Sequence, residues 1–252
     1  MALTVTEAVL LFGVAAIAGC VDTIAGGGGL IALPAMLMVG LPPGAAIATN
    51  KLQGCGGTLT ATAYFVRRGA IRLQDHRLAI AMTFIGSMVG GWLILQLDPA
   101  LLARLIPVLL MGMGVYFAVS PQLGVGDRDR RLSPRAFALL VAPLLGLYDG
   151  FFGPGTGMFM ALAFVSLCGF NLTKATAHTK LLNGTSNVAA LLYFLVYGDI
   201  AWGVGLIMLW GQFCGAWVGA RLVFMKGAAL IRPMVTAICV LMALKLLWDV
   251  YR

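Results

Sequence analysis

Residues 19–29 read Gly-Cys-Val-Asp-Thr-Ile-Ala-Gly-Gly-Gly-Gly, and residues 146–156 read Gly-Leu-Tyr-Asp-Gly-Phe-Phe-Gly-Pro-Gly-Thr. In both stretches an aspartate stands four residues before a glycine-rich break, and a short apolar segment follows the break. The chain matches itself again further along, where Ala48-Thr-Asn-Lys51-Leu52 pairs with Ala177-His-Thr-Lys180-Leu181. Because the matches keep their order at a shift of about 128 residues, the sequence predicts an internal duplication.

The composition indicates a membrane protein. Of 252 residues, 61% are hydrophobic and 10% are charged, whereas a soluble domain is roughly 45–50% apolar and about 25% charged. A bilayer core of about 30 Å takes about 20 helical residues, so the chain holds about eight to ten membrane segments. The 33 glycines and 10 prolines predict broken or re-entrant helices, because backbone groups freed inside a bilayer need partners from protein or a wet cavity. We expect one all-α polytopic transport domain over residues 1–252.

Each half of the chain contains the same series of segments. Repeat one covers about residues 1–120, a cytoplasmic linker about 121–135, and repeat two about 136–252. Within a repeat, an apolar helix leads through the glycine-rich break to a short apolar piece and then to three long helices. The predicted segments are about 5–24, 30–40, 45–66, 78–97 and 100–119, and then 136–152, 157–168, 174–197, 201–222 and 230–250.

The positive charges predict opposite orientations for the two halves. The loop at residues 67–77 carries four arginines, while the equivalent Gly198-Asp199-Ile200 carries no positive charge. Since Lys and Arg accumulate in cytoplasmic loops, these loops lie on opposite sides of the inner membrane, with both termini outside the cytoplasm. Such inverted-topology repeats are typical of secondary transporters. The alternative, two parallel halves of four spans each, would leave Arg221, Lys226 and Arg232 outside.

Several other classes of protein are disfavoured. The net charge of +8 does not indicate nucleic-acid binding, because no aromatic residues interleave with the arginines as base stacking requires. The five cysteines lie in apolar segments without a CxxC or a Cys/His spacing for metal, so we interpret them as small core residues and predict no metal or cofactor. No HExxH and no nucleophile elbow occurs, which argues against an enzyme.

Four ionisable residues at membrane depth form two repeat-related pairs: Asp22 with Asp149, and Lys51 with Lys180. Such residues inside a bilayer are costly and are functional candidates by default. We interpret the lysines as substrate-binding groups and the aspartates as their charge partners or coupling groups. Two alternatives remain at this point: lysines that snorkel outward, and ion pairs with a purely structural role.

A polar stripe follows each lysine along one helical face, at spacings i, i+3 and i+7. The stripes consist of Lys51, Gly54 and Thr58 in one half and Lys180, Asn183 and Asn187 in the other, with Asn50 and Thr179 at the preceding positions. The stripe is interpreted as substrate-binding, and interhelical hydrogen bonding is the alternative. His178 is typical of a core histidine rather than of a proton carrier.

The glycine-rich breaks open short helices, so their backbone N–H groups are expected to point between the halves, where they favour an anion. The residues expected to present them are Gly27, Gly28, Gly155 and Thr156. For scattered pairs such as Gly86 and Gly90, close helix packing is the preferred interpretation. We therefore predict one anion site near mid-membrane, formed by the breaks, the lysines and the polar stripes.

Three motifs resemble the TauE/SafE sulfite exporter family: Asp22-Thr-Ile-Ala-Gly-Gly-Gly-Gly29, Ala48-Thr-Asn-Lys51, and the stretch from Gly146 through Gly153-Pro154-Gly155-Thr156-Gly157. The resemblance covers nearly the whole chain. It implies export of sulfite or organosulfonate anions across the inner membrane.

We expect a secondary transporter that works by alternating access, with a small anion and the lipid bilayer as its partners and no nucleic acid. The alternatives are a transporter or channel for another small anion and a membrane scaffold or enzyme without transport. Oligomeric state is left open, with a homodimer as one option.

Overall fold

The computed structural model describes residues 3–98, 100–101, 104–105, 108 and 129–227, and no strand occurs in this part of the chain. Its helices are α1 (Val5–Ala25), α2 (Gly29–Met38), α3 (Pro43–Arg67), α4 (Arg77–Leu95), α5 (Ala142–Phe151), α6 (Thr156–Cys168), α7 (Leu172–Tyr197) and α8 (Trp202–Lys226). The all-α class and the order of these segments are confirmed. The predicted helices at 100–119 and 230–250 fall almost entirely outside the described residues.

Local sequence signals set the ends of several helices. At the start of α1, the Thr4 hydroxyl accepts a hydrogen bond from the Glu7 N–H at 3.2 Å, and the Glu7 carboxylate accepts one from the Thr4 N–H at 2.9 Å. This reciprocal pair satisfies two free backbone donors. The same helix ends at Gly26, whose φ of 82° is left-handed and whose N–H donates to the Asp22 carbonyl. Glycine adopts that conformation without strain, so the chain breaks there.

The helices differ in how they relate to a bilayer. Three stretches are long and apolar enough to cross a membrane: Val5–Ala25, Leu73–Leu95 and Trp202–Lys226. The helices α3 and α7 are as long but carry the polar stripes. The helix α5 has 10 residues, but it directly continues the short helix Pro134–Ala136 and a π-helical turn at Phe137–Val141. By contrast, α2 has 10 residues and α6 has 13, too few to span about 30 Å at about 1.5 Å per residue. These two helices are the short apolar pieces that follow the breaks.

Helix directions agree with inverted repeats. Gly54 of α3 faces Asn187 of α7, whereas Gly184 faces Thr58 and Leu59 further along α3, so these two equivalent helices are antiparallel. The other contacts run parallel: α1 lies along α8, and α4 lies along α5. Each helix therefore packs beside a helix of the other half, and its repeat equivalent points the opposite way.

Two apolar clusters occupy opposite ends of this bundle. The Phe194 cluster contains Leu11, Leu33, Met36, Ile94, Phe194 and Met208, among other buried residues. The Phe164 cluster contains Phe65, Ile71, Phe137, Met160, Phe164 and Val223, among others. Along α7, Leu182 belongs to the Phe164 cluster and Ala190 to the Phe194 cluster. The polar stripe at Asn183–Asn187 therefore lies between the two clusters.

Close helix packing depends on glycines, as expected for Gly86 and Gly90. A Cβ placed at Gly90 of α4 would overlap the Leu147 carbonyl of α5, and one at Gly86 would overlap the Pro143 carbonyl. Backbone atoms cannot move aside as a flexible side chain can, so these positions admit no larger residue without helix separation. Gly13 of α1 is different, because a Cβ there would meet nothing within 4 Å.

We predict that Gly90→Ala lowers the free energy of unfolding by about 1–3 kcal/mol, the usual cost of overpacking. Gly13→Ala is the matched control, and its better helix propensity adds up to about 1 kcal/mol. Thermal unfolding of the two purified variants in detergent measures the difference. Equal midpoints would contradict the proposed close contact of α4 with α5.

Candidate functional site

Two ion pairs form the centre of the candidate site. The Lys51 ammonium on α3 lies 3.0 Å from the Asp149 carboxylate on α5. The Lys180 ammonium on α7 lies 2.8 Å from the Asp22 carboxylate on α1. Each lysine belongs to one half and its aspartate to the other, so both pairs cross between the halves. Both lysine side chains are buried, at 0% and 1% exposed, and neither reaches the surface as snorkelling requires.

The two carboxylates differ in their other partners. Asp149 also accepts a hydrogen bond from the Ser186 hydroxyl, and Lys51 donates a second bond to the Asp149 backbone carbonyl. The second oxygen of Asp22 accepts from the Gly28 N–H, at 3.2 Å. The Asp149 side chain is 3% exposed and that of Asp22 is 14% exposed. The Lys51 pair is thus the more deeply buried and the more fully hydrogen-bonded of the two.

A small polar cavity lies against both aspartates, with about 30 Å³ of space for the centre of a water-sized sphere. That volume accommodates about two water molecules. Its walls are formed by Asp22, Gly26, Gly29, Asn50, Gln53, Gly54, Thr58, Asp149, Gly153, Gly155, Gly157, Asn183, Asn187 and Gln212. Residues of both halves line it, which places the cavity at their contact.

The structure brings part of the predicted residue set to this cavity. Asn50, Asn183, Asn187 and Gly155 line it together with both aspartates. Lys51 and Lys180 do not line it, because the carboxylates that hold them stand at its wall. Gly27, Gly28, Thr156 and Thr179 also lie outside the lining.

Thr156 and Thr179 have local environments of their own. The Thr156 hydroxyl donates to the Gly153 carbonyl at 2.6 Å, within the turn that precedes α6. The Thr179 hydroxyl is buried and has no hydrogen-bond partner in the described part of the chain. Thr179 and Asn50 are repeat equivalents, so the site departs from two-fold symmetry at this position.

Two glutamines in the lining were not among the predicted residues. Gln53 is 2% exposed, and its amide nitrogen donates to the Asn50 side-chain oxygen at 2.7 Å. Gln212 of α8 is 3% exposed. It stands in the apolar stretch of α8 that precedes Arg221, directly after Gly211, and this position is the sequence signal that could have identified it. Gln53 lies off the stripe spacing, so no comparable signal marks it.

Amide groups surround the cavity and bond to one another. Besides the Gln53 contact with Asn50, the Asn187 amide donates to the Asn183 side-chain oxygen at 2.9 Å. Carboxamides offer both donors and acceptors, and lysine ammonium groups offer charged donors. Such groups have the hydrogen-bonding chemistry that an oxyanion requires. Among the described residues no cluster of His, Cys, Asp or Glu suited to a metal ion occurs.

The glycine-rich breaks contact each other directly beside the cavity. A Cβ at Gly157 would lie 2.6 Å from the Gly26 Cα, and one at Gly29 would lie 3.1 Å from the Pro154 Cα. Side chains at Gly26 or Gly157 would therefore force the breaks apart. The absence of side chains at these glycines brings the starts of α2 and α6 to one level of the molecule.

His178 lies away from the cavity. Its Nδ1 is 2.7 Å from the Lys174 carbonyl, and its ring packs against His76 at 4.8 Å and Phe170 at 4.7 Å between centroids. This is the environment of a core histidine.

Comparison with known proteins bears on this arrangement. A family model described as "Sulfite exporter TauE/SafE" matches residues 11–246. The chain belongs to the TauE/SafE sulfite exporter family. Among its TauE/SafE relatives, "Probable membrane transporter protein YfcA" of Escherichia coli is 52% identical over 240 residues, which cover 95% of this chain and 89% of the relative.

Two further relatives agree with this assignment. A "Probable membrane transporter protein" of Haemophilus influenzae is 49% identical, with 95% and 94% of the two chains covered. "Probable membrane transporter protein ORF9" of a Sinorhizobium species is 45% identical, with 95% and 92% covered. No solved structure matches the chain. The protein is a membrane transporter of the TauE/SafE type.

We predict strong coupling between Lys51 and Asp149 in stability measurements. Asp149→Leu alone leaves a buried unpaired ammonium and should cost about 3–5 kcal/mol, whereas Asp149→Leu combined with Lys51→Met should recover most of that loss. Unfolding of Asp149→Leu, Lys51→Met and the double variant in detergent completes a double-mutant cycle with the wild type. Additive effects of the two substitutions would show that the pair contributes no mutual stabilisation.

Proposed function

We propose that this protein is a secondary transporter that exports a small sulfur-containing anion, sulfite or an organosulfonate, across the inner membrane by alternating access. One observation carries the proposal: two buried lysines, each paired with an aspartate of the other half, beside an amide-lined cavity between the halves. The family name supports sulfur oxyanions as the substrate class.

The charges of the site suit an anion that enters and leaves. Without substrate, two lysines and two aspartates sum to zero, so no buried charge is left uncompensated. An entering anion takes the place of a carboxylate next to a lysine, and amides complete its hydrogen bonds. Both lysines are already paired with carboxylates, so an anion can bind a lysine directly only when that ion pair separates.

The same separation links binding to movement of the halves. Both ion pairs cross the contact between the repeats, and the two apolar clusters lie toward opposite ends of the bundle. Loosening a pair weakens the contact that holds the halves together. The halves then rock, and one apolar cluster opens while the other stays closed, which is alternating access in its usual form for inverted repeats.

The membrane potential favours export without a coupled ion. A potential that is negative inside contributes about 2.3 kcal/mol per charge per 100 mV toward the outward movement of an anion. Import against this field would require a coupling cation. Asp22 and Asp149 are the acidic residues that line the described cavity, and both already neutralise lysines.

We predict that sulfite leaves proteoliposomes faster when the interior is made negative with a potassium gradient and valinomycin. Neutralising the Lys180 pair, as in Lys180→Met with Asp22→Asn, should abolish flux, because the double change removes a binding charge and leaves no orphan charge. Stopped-flow or electrode detection of sulfite gives the rates.

Gly13→Ala serves as the control, since its added methyl meets no neighbour. No flux in wild-type vesicles would favour a scaffold. Flux that ignores the potential and needs a pH gradient would contradict uncoupled export, and conduction at the rate of free diffusion would favour a channel.

The charge distribution supports an orientation with both termini outside the cytoplasm. In the described residues the positive charges gather where α3 and α8 end and α4 and α5 begin, at Arg67, Arg68, Arg72, Arg77, Arg130, Arg131, Arg135, Arg221 and Lys226. This end lies beyond the Phe164 cluster. Lys and Arg near membrane helices favour the cytoplasmic side.

We predict that a single cysteine at Asp199 reacts with a membrane-impermeant maleimide in intact cells, whereas one at Arg68 reacts only after the cells are opened. Both are placed in a background without the native cysteines. The reverse labelling pattern would place the arginine-rich end outside the cytoplasm and contradict the proposed orientation of the protein in the membrane.

A further inference from the structure

We infer that the two ion pairs do different work: an anion opens the Lys180–Asp22 pair, while the Lys51–Asp149 pair stays closed and holds the halves together. In this view Asp22 is a tethered competitor that occupies the anion position until substrate displaces its carboxylate. The inference rests on the proposed function and assigns its binding step to one of the two lysines.

Hydrogen bonding makes Asp149 the harder carboxylate to displace. It receives Lys51 and the Ser186 hydroxyl, and Lys51 also bonds the Asp149 backbone carbonyl, which cannot leave with the side chain. Asp22 receives Lys180 and a 3.2 Å bond from the Gly28 N–H. Hydrogen bonds to a charged acceptor are stronger than those between neutral groups, so the Ser186 hydroxyl, which Asp22 lacks, makes Asp149 the harder carboxylate to displace.

The sequence accounts for this difference in hydrogen bonding between the two aspartates. Ser186 stands directly before Asn187 in the second stripe, and its repeat equivalent, directly before Thr58, is Gly57. Glycine has no hydroxyl to offer, so Asp22 lacks the partner that Asp149 has. The Asp22 side chain is also more exposed than the Asp149 side chain, at 14% against 3%.

Withdrawal of Asp22 would leave a preformed position for an oxyanion. It frees the Lys180 ammonium and the Gly28 N–H, which precedes the first turn of α2, and both favour a negative oxygen. Gly28 has no room for a side chain, because a Cβ there would contact Asp22 itself.

A second observation points to a ligand in the cavity that Asp22 lines. Gln53 lines it, is 2% exposed, and has a side-chain oxygen without a hydrogen-bond partner among the described residues. Buried polar atoms are nearly always satisfied in folded proteins. Gln53 and Asp22 line the same cavity, so the Gln53 amide with its unpartnered oxygen is available to a polar ligand that takes the place of the Asp22 carboxylate.

The test compares Asp22→Asn with Asp149→Asn, two identical chemical changes at equivalent positions, by sulfite titration calorimetry on purified protein. If Asp22 competes with substrate, its removal raises the binding-competent fraction toward one, so sulfite affinity should rise by about tenfold or more. Asp149→Asn should show no gain. A gain in affinity cannot arise from misfolding.

Thermal unfolding provides a second measurement in case Asp22→Asn is unstable. Its midpoint should fall without sulfite, because Lys180 is unpaired, and recover as sulfite is added, since a ligand that binds the native state stabilises it. Lys180→Met with Asp22→Asn should lose sulfite binding by more than about tenfold, whereas Lys51→Met with Asp149→Asn should lose less than about threefold.

Each outcome decides between the possibilities. Equal affinity gains in the two asparagine variants, or a loss in Asp22→Asn, would overturn the division of work while the proposed transport remains. Absence of sulfite and methanesulfonate binding in the wild type and in every variant would overturn both proposals. Binding that appears only in Asp22→Asn would support the tethered competitor directly.

Discussion

A lysine inside a bilayer must be paired, and this requirement shapes the molecule. The ammonium groups of Lys51 and Lys180 are shielded from water, where an uncompensated charge costs several kcal/mol. Their partners come from the opposite half, so the halves have to meet at the level of Asp22 and Asp149. The glycine-rich breaks make that meeting possible, because Gly26 and Gly157 allow the two backbones to touch.

Crossed pairing also makes the halves interdependent. Each half contributes one acid and one lysine to the site, and in the folded chain each of these charges pairs with the other half rather than with its own. Separated halves would each expose two unpaired ionisable groups to the bilayer. The two repeats therefore form one unit in which each repeat supplies the counter-charge of the other. The contact between them contains both the packing of the breaks and the charge pairing of the site.

Much of the fold follows from sequence because its signals are local. Apolar length, the Pro43 start of α3 and the Gly26 end of α1 define helices whose observed bounds lie within a few residues of the expected ones. The site follows less completely. The repeat offers each lysine an aspartate in its own half and one in the other, and only packing decides between them. Gln53 has no charge and lies off the stripe spacing, so its place in the cavity becomes visible only in three dimensions.

The two apolar clusters have an electrical consequence. A voltage across a protein falls mainly over its layers of low polarisability, and the apolar Phe164 and Phe194 clusters are such layers, whereas the polar and charged groups between them sustain less of the field. The two apolar clusters would therefore carry most of the voltage across the molecule, and the polar layer between them would carry little of it. If water enters one cluster, nearly the whole voltage falls across the other. An anion that crosses from the site through the cluster that stays apolar would then experience almost the full driving force.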